Sequence, residues 1–115
     1  MPEPIALPIL ALVRDLMFAG RIGATARALG VDLKMLRDPA ALAIEPGRRL
    51  IVDLNQPGAL DAAALWKQQH GGEVIGFVAH TDIATIERAR SAGIDRVLAR
   101  SAFVEVLPEL LAAGS

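Results

Sequence analysis

The sequence has no cysteine, no tyrosine, one tryptophan and three phenylalanines in 115 residues. Without thiols there are no disulfides, no thiolate catalysis and no zinc-thiolate sites. With aromatics so scarce, the core must be built mainly from Leu, Ile, Val and Ala, a composition common between helices and parallel strands. An excess of one charge is missing too. Lys and Arg number 12 against 13 Asp and Glu and are spread along the chain, so there is no broad basic field for nucleic acid or anionic lipid. Long apolar runs are also absent. The segment from Ile5 to Val13 contains Pro8 and runs into Arg14 and Asp15, which leaves it too short to span a bilayer. It lacks the basic start and small-residue cleavage pattern of a secretory signal and reads as a first strand. A cytoplasmic protein with neither nucleic acid nor membrane as partner fits this composition.

What is present is organised around Arg49-Leu50-Ile51-Val52-Asp53-Leu54-Asn55-Gln56-Pro57-Gly58. Leu50, Ile51 and Val52 suit a strand buried on both faces of a parallel sheet. The run ends in the carboxylate of Asp53, and Asn55 to Gly58 supply turn chemistry. Asp53 is therefore expected at the carboxyl end of a central strand, in the crevice where open α/β sheets place their sites.

Around this stretch, strand and helix signals alternate. Ile9 to Val13 predicts a strand. Leu16 to Leu29 predicts a helix, with Leu16, Ala19, Ile22, Ala26 and Leu29 at three- and four-residue steps and Gly30 closing it. Asp32 to Leu36 reads as a second strand, followed through Asp38-Pro39 by a short helical or irregular piece at Ala40 to Ala43. After the central strand, Ala59 to Gln69 is helical and ends at Gly71-Gly72; Glu73 to Ala79 is a buried strand. Thr81 or Asp82 caps a helix from Ile83 to Ala92, stopped by Gly93. Val97 to Ala99 is a last strand. Phe103 to Ala113 is a last helix, with Pro108 as a kink or the sign of a late start. The alternation implies one α/β domain, residues 1–115, with a parallel five-stranded sheet and helices on both faces.

These segments resemble the receiver domains of response regulators. Val52 to Gly58 is similar to the phospho-acceptor segment, in which an aspartate ending the third strand is followed by Pro-Gly. Val74 to His80 resembles the fourth receiver strand, Ala92 to Arg100 the Ala-Gly-Ala-Asp segment leading into the fifth, and Leu12 to Asp15 the end of the first. The resemblance implies a flavodoxin-like, CheY-like fold with strand order 2-1-3-4-5. It implies Asp53 as phospho-acceptor, and Asp15 and Asp53 as ligands for Mg²⁺, which neutralises the like charges of phosphoryl group and carboxylate.

Other positions depart from that pattern. Arg14 replaces the second acid of the metal-binding pair and could pair with Asp53 or Asp15 instead. Val78 stands at the position of the hydroxyl that follows the phosphoryl group, and Arg100 at that of the lysine, a charge-preserving change that is not isosteric. Ser101 replaces the proline that usually follows. The pattern is that of a pseudo-receiver, with Asp53 held by Arg14 or Arg100 as a buried ion pair and Mg²⁺ bound weakly if at all.

Elsewhere, bland readings prevail. His80 suits a solvated loop and Gly20-Arg21-Ile22-Gly23 helix packing, while Trp66 suits a core or edge anchor and equally a contact surface. Met17, Phe18 and Arg21 read as core and surface more than as a partner patch. The last helix, with Phe103, Leu107 and Leu110, carries more apolar residues than one face needs, so it is either buried within the domain or an interaction surface. The resemblance favours the latter, since receivers commonly dimerise there.

Three functions follow. The first is a two-component signalling module that binds a histidine kinase or separate output protein, or forms a homodimer, without phosphotransfer. The second is a phosphorelay acceptor acting through Asp53, and the third a small-molecule carrier or enzyme on the same scaffold. The absence of a cobalamin motif or flavin phosphate loop ranks the third last.

Overall fold

Each short apolar run of the sequence becomes a strand of a single parallel sheet. The computed structural model describes residues 7–112. In chain order the elements are β1 (Ile9–Leu12), α1 (Leu16–Leu29), β2 (Leu33–Leu36), a 3-10 turn (Pro39–Ile44), β3 (Arg49–Asp53), α2 (Ala59–His70), β4 (Glu73–Val78), α3 (Ile83–Ser91), β5 (Arg96–Ala99) and α4 (Arg100–Ala112). The expectations for Ile5, Ala6 and Ala113, and the assignment of residues 1–6 and 113–115 to the same domain, lie outside the described residues.

The strands run in the order β2-β1-β3-β4-β5, all pairs parallel, with Leu12 opposite Val52 and Asp53 opposite Phe77. This is the flavodoxin-like order expected. β1 and β3 are buried along their whole length, as the apolar runs Ile9 to Leu12 and Leu50 to Val52 require in a sheet covered on both faces.

Two cores result. On one face Leu12, Leu50, Val52, Val74 and Val78 pack with Leu42, Leu60, Ala63 and Trp66 in a mainly aliphatic layer. On the other, Ile9, Ala11, Ile51, Ile75 and Phe77 pack with Ile22, Ala26, Phe103, Leu107 and Leu110. Trp66 is fully buried, and its indole N–H donates to Glu45 O at 2.8 Å. The only polar or charged side chains buried among the described residues are Arg49, Asp53 and Gln56. Arg49 is satisfied by Glu73 and by Leu110 O, which ties α4 to the sheet.

Local rules set the boundaries. Asp15 caps α1 by accepting the N–H groups of Met17 and Phe18, and Gly30 closes it at φ 69°. Asp82, not Thr81, caps α3 through the Thr85 N–H. β4 stops at Val78, one residue before the sequence suggests, because the Ala79 N–H is taken by a side chain, that of Asn55, at 2.8 Å.

The last helix differs most from expectation. It begins at Arg100 directly after β5, with Pro108 inside it, so Pro108 does not mark a late start. Phe103, Leu107 and Leu110, expected as an interaction surface, are at most 3% exposed and belong to the core. The extra apolar positions of α4 are used within the domain, where the helix packs on β4, β5 and α1.

Candidate functional site

Because β1 and β3 are adjacent and parallel, their carboxyl ends open on the same rim, and the loops that follow bring Asp15 and Asp53 together. Arg14, Asp15, Asp53, Asn55, Gln56, Pro57 and Arg100 line a crevice of about 270 Å³ there. Arg100 enters from the third side, since α4 starts without a loop after β5.

Asp53 is 5% exposed. One oxygen, Oδ1, accepts the Asn55 N–H at 3.0 Å and lies 3.6 Å from Arg100 Nη2. The second distance is that of an ion pair without a formed hydrogen bond. Burial pushes the Asp53 carboxyl above the usual carboxylate range; the Asn55 N–H and the Arg100 charge pull it back, and Asp15 adds to the rise.

Of the two cations proposed to hold Asp53, Arg100 does so. Arg14 lines the crevice but makes no ion pair within 4.0 Å among the described residues. Arg100 is steadied from below, its guanidinium carbon lying 5.2 Å from the Phe18 ring centroid. Phe18 stacks on Phe77 at 5.0 Å, and Phe77 on Phe103 at 4.5 Å. The Phe18 and Phe103 centroids are 6.4 Å apart, so all the phenylalanines of the chain form one cluster, with Phe18 beneath Arg100.

The other candidates fall into place around this crevice. Val78 is fully buried in the aliphatic layer and is not part of the crevice wall. Asp15 is exposed and already occupied in capping α1. His80 is on an exposed turn, and Gly20 to Gly23 lie inside α1. Asn55 and Gln56 were legible only as turn residues. Gln56 is buried and donates to Arg37 O at 2.7 Å, and Asn55 bonds through both ends of its amide. The one signal for them was their position immediately after the acid.

The donor set can be weighed for a divalent cation. Asp15 and Asp53 line the crevice together with Arg14 and Arg100, so its formal charges cancel. No group of three or more His, Cys, Asp or Glu side chains suited to a metal occurs among the described residues. This donor set does not fit a tight Mg²⁺ or Ca²⁺ site, for which oxygen ligands and negative charge are required.

A parallel five-stranded sheet of order 2-1-3-4-5 with helices on both faces is the fold of response-regulator receiver domains. Solved structures agree. A response regulator protein from Burkholderia pseudomallei, with a phosphorylated aspartic acid, calcium ion and citrate, is similar with a TM-score of 0.75 and 20% identity, covering 93% of this chain and 67% of that one. A CheY-like receiver domain protein from Methanospirillum hungatei JF-1 gives 0.75 and 14%, over 93% and 94%. The BeF3-activated DrrB receiver domain gives 0.77 and 14%, over 92% and 94%. At these identities the likeness is one of fold: the chain has the receiver fold. No protein-family model and no curated protein matches the sequence.

Proposed function

We propose that this chain is a receiver-type domain of two-component signalling whose phosphorylation site is degraded and which acts through protein-protein contact. The observation that carries the reading is the Asp53–Arg100 pair in a crevice whose charges cancel. A phospho-acceptor needs a cation gathered by several acids and a hydroxyl to follow the phosphoryl group. Here one acid position holds Arg14, and the hydroxyl position holds Val78, which is turned into the core. Arg100 supplies in permanent form the neutralisation that a metal and a lysine would supply on demand. Asp53 then remains an ionisable buried acid with a fixed partner.

The contact surface does not involve Phe103, Leu107 or Leu110. Leu16 and Met17, 71% and 83% exposed at the start of α1 beside the crevice, are apolar groups open to a partner such as a histidine kinase or an output protein. A homodimer would have to use such exposed groups as well.

A second reading, phosphorylation on Asp53, is favoured by the convergence of Asp15 and Asp53 in one crevice. Were a metal held, those two carboxylates would hold it, and it would supply charge neutralisation.

Amide and carboxyl NMR during addition of Mg²⁺ and then beryllofluoride, with Asp53→Asn as control, decides between the two. The degraded site predicts no response at millimolar Mg²⁺. Shifts at Asp15 and Asp53 that vanish in the control would overturn it in favour of the second reading.

A further inference from the structure

The loop after β3 and the loop after β4 are joined by a single side chain. Asn55 Oδ1 accepts the Ala79 N–H at 2.8 Å, and Asn55 Nδ2 donates to Asp82 Oδ2 at 2.8 Å. The other oxygen of Asp82, Oδ1, accepts the Thr85 N–H at 3.1 Å and so caps α3. On its own backbone Asn55 donates to Asp53 Oδ1 at 3.0 Å. A continuous chain of hydrogen bonds thus runs from the buried acid, through both parts of one asparagine, to the first turn of α3. The turn between is closed by Asp82 N–H to Ala79 O at 3.0 Å.

We propose that Asn55 is a latch that fixes the segment Ala79 to Asp82 over the sheet and couples the start of α3 to Asp53. The side chain at the end of β4, Val78, lies in the aliphatic core and has no hydrogen-bonding group, so it cannot report on the crevice. Asn55 has the reach and the chemistry. Its amide is used at both ends, acceptor toward one loop position and donor toward another, which fixes its orientation. Asn55 also lines both the Asp53 crevice and the neighbouring groove that holds Asp61, Asp82 and Arg88. Displacing α3 pulls on Asp82, frees Asn55 and weakens its N–H contact with Asp53. By thermodynamic linkage, a group that binds at Asp53 changes the position of α3 by the same free energy. The latch operates whether or not Asp53 is ever phosphorylated.

The conservative variant Asp82→Asn separates the latch from the cap. Its single amide oxygen still caps Thr85, while its NH₂ meets the NH₂ of Asn55; turning Asn55 over only moves the mismatch to the Ala79 N–H. The test is amide hydrogen exchange of the folded chain, read at Ala79 and at Asn55. The expected result is exchange at Ala79 about tenfold faster, the loss of one net hydrogen bond, although Ala79 itself has not been altered. Exchange at Asn55 quickens at the same time, since its N–H contact with Asp53 is loosened. Exchange at Ala79 that stays at the wild-type rate would show that Asn55 does not depend on Asp82 and would overturn the latch. Exchange at Asn55 that stays at the wild-type rate would also overturn it, because the buried acid would then not be coupled to the start of α3.

Discussion

The guanidinium of Arg100 lies over the ring of Phe18, 5.2 Å from its centroid, while one of its nitrogens lies 3.6 Å from Asp53. The cation is thus placed by an apolar face beneath and an acid beside it. A planar guanidinium suits this placement better than a compact ammonium would. A double-mutant cycle of Phe18→Leu and Arg100→Lys should give a coupling of about 0.5–1 kcal/mol, the range for a part-exposed cation–π pair. Urea denaturation of the four proteins reads it. Additive effects would mean that the two side chains do not act together.

Asp53 makes stability depend on pH in an unusual direction. Its folded pKa is above the ordinary value of 3.8, because burial outweighs the help of the Asn55 N–H and Arg100. In that window the folded state binds more protons than the unfolded chain, so stability falls as pH rises through it. Asp82 acts oppositely: its carboxyl is held down by its hydrogen bonds to Thr85, and stability from it is lost on acidification. Comparison with Asp53→Asn isolates the first effect. The variant should melt at a higher temperature than wild type at pH 7, and the gain should shrink as pH is lowered toward the ordinary carboxylate range. A variant that is less stable than wild type at neutral pH would contradict this.

Leu107 is 1% exposed in the layer that holds Phe103 and Leu110. Leu107→Ala should cost about 2–5 kcal/mol of unfolding free energy, independent of protein concentration. A variant of wild-type stability with altered self-association would instead place Leu107 at a surface.

Gly76 sits in β4 opposite Val52, and a Cβ there would run into the side chain of Leu54, the residue after Asp53. Gly76→Ala should therefore destabilise the domain by about 1–3 kcal/mol through overpacking. Calorimetry or urea titration checks it. A neutral result would mean that Leu54 has room to turn aside.

Much of this molecule could be read from its sequence because the governing signals are local. Gly30 and Gly71 close helices as glycines with positive φ do, and the run Leu50 to Asp53 followed by Pro57-Gly58 located the crevice. Only the resemblance to receivers placed Arg100 near Asp53; the choice between Arg14 and Arg100 needed the direction in which α4 leaves β5. Phe103, Leu107 and Leu110 were ambiguous because an apolar excess does not say whether a second helix or a second molecule covers it. In the fold, α1 packs against α4. Asn55 was hidden for a different reason. Its partners, Ala79 and Asp82, lie on another loop, and no local pattern couples two loops across a sheet.

The sheet separates the ring-bearing side chains by type. Phe18, Phe77 and Phe103 all lie on the α1 and α4 side, while the one tryptophan, Trp66, lies in the aliphatic layer opposite. Each core thus contains its own spectroscopic reporter: indole fluorescence follows one face, and phenylalanine ring-current shifts follow the other. The order in which the two halves of this domain consolidate or come apart can be watched in the unlabelled wild-type chain.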